Sequence, residues 1–117
     1  GELMDAKINQ LTLAYKDFNK SGFPKNYLEN GEVTDVLGDI HAELADYTGY
    51  VCGFLLQIIN HAKTDVTLPQ ADIELRNAIV RVISGNNTAQ AFHAKIYLEY
   101  LDRLEHLAEL GRSICTK

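Results

Sequence analysis

Residues 32–63 decide the fold, and they read EVTDVLGDIHAELADYTGYVCGFLLQIINHAK. Apolar residues recur through this stretch at alternating spacings of three and four, which is the pattern of one face of an α-helix. These residues are Leu37, Ile40, Leu44, Tyr47, Val51, Phe54 and Ile58. Because the pattern is unbroken, we predict a single long helix from Glu32 to Lys63.

The predicted long helix changes character halfway along. Its first half carries acidic side chains within an arc of about 80°, at Glu32, Asp35, Asp39, Glu43 and Asp46. Its second half adds a face of mostly small and apolar residues, at Gly49, Cys52, Gly53, Leu56 and Ile59. A helix that is acidic on one side and then apolar all round has to be buried by more than one neighbour. The pattern therefore indicates an assembly or partner surface.

Three further helical patterns accompany the long one. The first ends near Gly22, ahead of a loop. The third is predicted to begin at Thr67–Gln70, which has the form of a capping box, and to end at Gly85. The fourth begins at Thr88 and is predicted to end at Gly111, because glycine often follows the last turn of a helix.

These patterns predict the fold class. No stretch shows the alternation of a β-strand, and no internal repeat is present. The short connection over residues 84–88 favours antiparallel packing of the last two helices. A chain of 117 residues is large enough to bury one core without cross-links. We predict one helical domain over residues 1–117, an all-α antiparallel four-helix bundle with one long helix.

The composition restricts the classes of partner. A net charge of −5 and a pI near 5.2 argue against nucleic acid, because phosphate contacts need clustered Lys and Arg. No apolar run reaches the roughly 18 residues of a membrane span, and the chain as given shows no secretory signal. We expect a soluble protein without a membrane partner, with the cytoplasm favoured. We also expect Cys52 and Cys115 to be thiols rather than a disulfide.

The acidic side chains of the long helix repel one another and have no neutralising residue beside them. Like charges four residues apart on a helix repel each other by a few tenths of a kcal/mol, roughly, and no Lys or Arg lies on this stripe. A solvated helix face is one interpretation. The other is that a basic partner surface neutralises Asp35, Asp39, Glu43 and Asp46. We predict that these residues form a partner-binding site.

Two glycines in the middle of the same helix also need an explanation. Gly49 and Gly53 cost about 1 kcal/mol each relative to alanine, so a compensating contact is expected. One interpretation is a close intrachain contact with the first or fourth helix. The other is a homodimer interface formed by Gly49, Cys52, Gly53 and Leu56. The sequence leaves both open.

A second constellation of side chains supports an alternative interpretation, a metal site. Glu43 and Asp46 on the long helix and Glu74 and Asn77 on the third helix offer oxygen ligands of the kind that Mg²⁺ prefers. This pairing is similar to the ExxE and ExxD helices of the all-α nucleotide pyrophosphohydrolases, the MazG-like family. The resemblance implies Mg²⁺-dependent hydrolysis of a nucleotide. The chain departs from the family at Asp46, where Glu is usual, and at Asn77, where a carboxylate is usual.

The fourth helix contains a possible aromatic and basic patch. Tyr97, Tyr100 and Arg103 are residue types that are enriched among interface anchors. Alternatively, the tyrosines close the edge of the core with their hydroxyl groups in water.

None of the four histidines is paired with another His or a Cys at metal-ligand spacing, so we expect no catalytic histidine.

Taken together, these features predict a small acidic, non-enzymatic protein-interaction domain that needs no cofactor. We expect an inhibitor or a toxin-immunity-type protein, which would act by occluding the surface of a basic partner. The alternative is a Mg²⁺-dependent nucleotide pyrophosphohydrolase, or a degenerate relative of one. A third interpretation is an oligomerisation module that uses only the face around the two glycines.

Overall fold

The protein is a bundle of four α-helices. The computed structural model describes residues 1–22, 35–62, 67–68, 70–71, 73–85 and 88–115. The helices are α1 (Glu2–Asn19), α2 (Asp35–His61), α3 (Ile73–Ile83) and α4 (Thr88–Cys115). No strand occurs among the residues of these ranges. The predicted all-α four-helix fold is confirmed.

The two long helices, α2 and α4, form the centre of the bundle. Each packs against the other three helices, whereas α1 and α3 have almost no contact with each other. The two helices run in the same direction, because Thr48 of α2 meets Tyr100 of α4 and, further along both helices, Leu55 meets Gly111. The molecule is elongated, with principal extents of 53 × 25 × 17 Å.

The core is built on the apolar face of α2 that the sequence predicts. All seven residues of the predicted face are buried, from Leu37 to Ile58, and Leu55 joins them. They pack against the buried face of α4, whose largest members are Tyr97, Tyr100, Leu101 and Leu104. Leu11 and Phe18 contribute from α1, and Leu75 and Ile79 from α3.

Two helix boundaries differ from the prediction. The third helix begins at Ile73, not at Thr67–Gln70. Leu68 is buried, so the segment before α3 delivers an apolar side chain to the core instead of starting the helix. The limits Glu32 and Lys63 of the predicted long helix lie outside the described residues.

The prediction that Gly111 ends the last helix is wrong. The helix α4 continues through Gly111 to Cys115 and has 28 residues, one more than α2, so the bundle has two long helices. A Cβ atom at Gly111 would lie 2.6 Å from Cδ2 of Leu55 and 2.9 Å from Cε2 of Phe54. Any side chain at this position would force Leu55 and Phe54 to shift, so glycine favours the close packing of α2 and α4.

Of the two interpretations of Tyr97 and Tyr100, the exposed patch is excluded, since both side chains are buried in the core. The ring of Tyr100 lies 5.2 Å from the ring of Phe18, between their centroids. Its hydroxyl group is 2.9 Å from the Thr48 hydroxyl group, at hydrogen-bond distance. Tyr100 is thus in contact with both α1 and α2. Arg103 alone remains exposed, with its guanidinium group 5.9 Å from the centre of the Phe18 ring.

None of the helices in the described ranges combines the length and the hydropathy needed to cross a membrane.

The different surroundings of two helical glycines predict opposite effects of the same substitution. Gly111→Ala should lower the free energy of unfolding by about 1 kcal/mol, because overpacking of about 2 kcal/mol outweighs the gain in helix propensity. Gly53→Ala, where no atom lies within 4 Å of the added Cβ, should raise it by up to about 1 kcal/mol. Urea denaturation of both variants measures the difference, and equal stabilisation would show that the helices are not in close contact at Gly111.

Candidate functional site

The side of α2 that points away from the bundle is one continuous strip. Its residues are exposed, follow each other at spacings of three and four, and fall within about 80° of the helix circumference. We call this strip the outer face of α2, formed by Asp39, Glu43, Asp46, Tyr50, Gly53 and Gln57. Gly49 and Leu56 are exposed along one edge of it. The outer face therefore joins the acidic half of the helix to its uncharged half.

The acidic part of the outer face is not neutralised by the rest of the described chain. Asp39, Glu43 and Asp46 are exposed, and none of them forms an ion pair within the ranges that the structure describes. The ion pairs there join Lys20 to Asp17, Arg76 to Asp102 and Arg112 to Glu109. Glu32 lies outside the described residues, as does the side chain of Asp35.

Most of the net charge of the protein is concentrated on α2. This helix contains four of the 16 acidic residues and no Lys or Arg, so the other 12 acidic residues nearly balance all 11 basic ones. A concentrated charge produces a local potential that attracts cationic surfaces and raises their rate of association. Among the described helices, α2 is the one that carries acidic residues without any Lys or Arg.

The uncharged part of the outer face is open to solvent. Tyr50 is 63% exposed and Leu56 is 41% exposed, which is high for residues of this size. A Cβ atom added at Gly49 or at Gly53 would have no neighbour within 4 Å. Within the described residues, the intrachain contact that would explain these glycines is therefore not found, and the homodimer interface stays a prediction.

Cys52 differs from the other residues of the predicted homodimer interface. It is half-buried and points toward α1, where its thiol lies beside the Tyr15 hydroxyl group. Burial raises the pKa of the Cys52 thiol. Cys52 is therefore a packing residue between α1 and α2 and a poor nucleophile. Cys52 and Cys115 are both thiols, as predicted.

The predicted metal ligands are not assembled into a site. Glu43, Asp46, Glu74 and Asn77 are each exposed. Across the described part of the chain, no three His, Cys, Asp or Glu side chains are grouped closely enough to hold a metal ion. The structure thus brings Glu43 and Asp46 together with Asp39 along one helix, but it does not bring Glu74 to them.

A polar cluster between α2 and α4, which the sequence did not reveal, holds the outer face in position. The Tyr47 hydroxyl group donates a hydrogen bond to Glu105, and Arg112 donates one to Glu109 at 2.5 Å. Burial, together with the bond to Glu105 and its charge, raises the pKa of Tyr47 to about 12. Glu105 lies one helical turn after Leu101, and this spacing in the sequence could have indicated that Glu105 borders the core.

His41 is the one histidine of the acidic half of α2, and it lies at the edge of the core. Its ring is 6.2 Å from the ring of Tyr97, between their centroids. Burial lowers the pKa of His41, which favours the neutral imidazole. It adds no positive charge to the helix at neutral pH, so it does not offset the three exposed carboxylates.

Comparison of this chain with family models, with curated proteins and with solved structures finds no match.

Removal of the Tyr47 hydroxyl group should weaken the contact between α2 and α4. Tyr47→Phe keeps the buried ring but loses the hydrogen bond to Glu105, so we expect the free energy of unfolding to fall by about 1 to 2 kcal/mol. Urea denaturation near neutral pH measures this change. Tyr50→Phe, which alters an exposed hydroxyl group on the same helix, is the control. Equal stability of the two variants would contradict the structural role of this bond.

The raised pKa of Tyr47 also predicts a loss of stability at alkaline pH. The folded protein holds this proton up to a pKa of about 12, whereas the unfolded chain releases it near the ordinary value of 10.0. The stabilisation is complete below pH 10.0 and is lost as the pH rises through about 12. At about pH 11 the wild type should therefore lose about 1 kcal/mol more than Tyr47→Phe, relative to about pH 8. Identical pH dependence in the two proteins would contradict the prediction.

Proposed function

We propose that the protein is a small non-enzymatic interaction domain that uses the outer face of α2 to bind and occlude a basic surface on another protein. An inhibitor or a toxin-immunity-type protein acts in this way. The observation that carries the proposal is the exposure of Asp39, Glu43 and Asp46 on a helix that has no Lys or Arg.

Electrostatics supports the binding step. In the free protein the three carboxylates repel each other, because neighbours on this face are three or four residues apart. Lys or Arg side chains of a partner would relieve that repulsion and add charge-assisted hydrogen bonds. Long-range attraction would also accelerate the encounter, an effect that weakens as salt screens the charges.

The rigidity of α2 supports occlusion. Ile40, Leu44 and Tyr47 anchor the opposite side of the acidic half in the core. The acidic side chains are thus carried on a backbone that is already ordered, so binding requires little loss of backbone freedom. A rigid helix that lies across a basic surface would block access to that surface.

Affinity beyond the charges is expected from the exposed apolar side chains that continue the outer face. Charged groups contribute mainly to encounter rate and specificity, whereas buried aromatic side chains provide much of the binding free energy. Tyr50, which is 63% exposed, is the aromatic residue of the outer face. We expect it to be covered in the complex.

The proposal predicts selective loss of basic partners when the acidic face is neutralised. Immobilised wild type should retain, from an extract of the source cells, basic proteins that are released between about 50 mM and about 300 mM salt. The triple variant Asp39→Asn, Glu43→Gln, Asp46→Asn should not retain them, because it lacks the charges that attract Lys and Arg. Association of each retained protein is then measured with purified components.

The control has the same net charge as the neutralised variant. Asp5→Asn, Asp17→Asn, Glu99→Gln removes three exposed carboxylates from α1 and α4. This variant should retain the same basic proteins as the wild type. If both triple variants lose the partners equally, the effect is one of net charge, and the outer face of α2 is not the binding site.

A further inference from the structure

We infer that the partner contributes an α-helix that lies antiparallel along the outer face of α2, with Lys or Arg in its C-terminal half and small or apolar residues in its N-terminal half. This inference rests on the proposed function and names the element that the outer face would bind.

The shape of the outer face fits a helix. From Asp39 to Gln57 its residues form a single line along α2, which is about 27 Å long at 1.5 Å per residue. The strip is one helix face wide. A partner helix of about 18 residues has the same length and would follow the strip throughout, with its axis about 8 to 10 Å from the axis of α2.

The glycines of α2 indicate where the partner backbone would come closest. Gly111 of α4 is a glycine at a close contact between two helices of this protein, since an added Cβ there would lie 2.6 Å from Cδ2 of Leu55. Gly49 and Gly53 lie one turn apart in mid-helix, and nothing lies within 4 Å of the positions of their missing Cβ atoms. Glycine weakens a helix relative to alanine. The space that these glycines leave is not filled by any residue that the structure describes, and it is suited to a second helix.

The distribution of charge sets the composition and direction of the partner helix. Carboxylates occupy only the first half of the outer face, and residues 47–62 contain no Asp, Glu, Lys or Arg. A complementary helix therefore needs basic residues over one half only. In the antiparallel direction these residues lie near the C-terminus of the partner helix, where its own dipole favours cations, and the two helix dipoles oppose each other.

A second copy of this chain is a poorer occupant of the outer face. The uncharged half of a second α2 would cover Tyr50 and Leu56. It would bring no Lys or Arg to Asp39, Glu43 and Asp46, however, because residues 35–61 contain none. A basic helix from another protein would both neutralise the acidic half of the outer face and cover its uncharged half.

A designed peptide tests this inference. The probe is a capped, fluorescein-labelled helical peptide of about 18 residues, with Ala and Leu in its first half and Lys on one face of its second half. Its control has Gln in place of every Lys. Fluorescence anisotropy at about 50 mM and about 300 mM salt measures binding to the wild type, and we expect the Lys peptide to bind more tightly and to be weakened by salt.

Substitutions in each half of the outer face test the mode of binding. Gly53→Gln should weaken binding about tenfold, because it fills the space for the partner backbone, and Tyr50→Ala should weaken it similarly. Both positions are exposed, and circular dichroism verifies that each variant is folded. Ala6→Gln, which adds similar bulk to an exposed position of α1, should leave binding unchanged.

The outcomes separate this inference from the proposed function. Loss of binding in Gly53→Gln, in Tyr50→Ala and in the neutralised triple variant of α2 supports the helix. Loss in the triple variant alone overturns the helix and leaves the acidic docking surface intact. Failure of the wild type to bind the Lys peptide also overturns the helix, while the capture of basic proteins remains an independent result. A dimer in light scattering that Gly53→Gln dissociates would show that a second copy covers this face.

Discussion

The close contact between α2 and α4 is the constraint on which the rest of the structure depends. These helices run in the same direction, and at Gly111 they approach so closely that an added Cβ would displace the side chains of Leu55 and Phe54. Their apolar faces supply most of the buried side chains, and α1 and α3 pack onto the pair with almost no contact between themselves. Because burial of apolar area is the main stabilising term in folding, the whole bundle is organised around this pair.

That contact also determines what the protein presents to its surroundings. Once Leu44, Tyr47 and Val51 are buried against α4, helical geometry turns Asp39, Glu43, Asp46 and Tyr50 outward. The Tyr47 hydrogen bond to Glu105 joins α2 to α4 beside the acidic half. The acidic and uncharged halves of the outer face are therefore held in one line on a rigid support, which is the property that a docking surface needs.

Residues of the same type have different roles in this protein, depending on which helices surround them. Gly111 is buried in the close contact between α2 and α4, whereas Gly49 and Gly53 are exposed and serve no contact within the described chain. Tyr97 and Tyr100 are core residues, whereas Tyr50 is exposed. Cys52 faces α1 while its neighbour Gly53 faces solvent. The residues compared here are of the same type or are adjacent in the sequence. The contacts that neighbouring helices make with each residue determine its role.

The sequence by itself determined the fold class, the seven-residue apolar face of α2 and the placement of three carboxylates on one side of it. These follow from a local period of 3.6 residues, which is the same in any surroundings. Only the tertiary structure decided that α4 passes through Gly111, that Leu68 is buried before α3, that Glu74 stays apart from Glu43 and Asp46, and that the glycines of α2 face solvent. These depend on which helix lies beside which residue, and that arrangement is set by packing between segments distant in the chain.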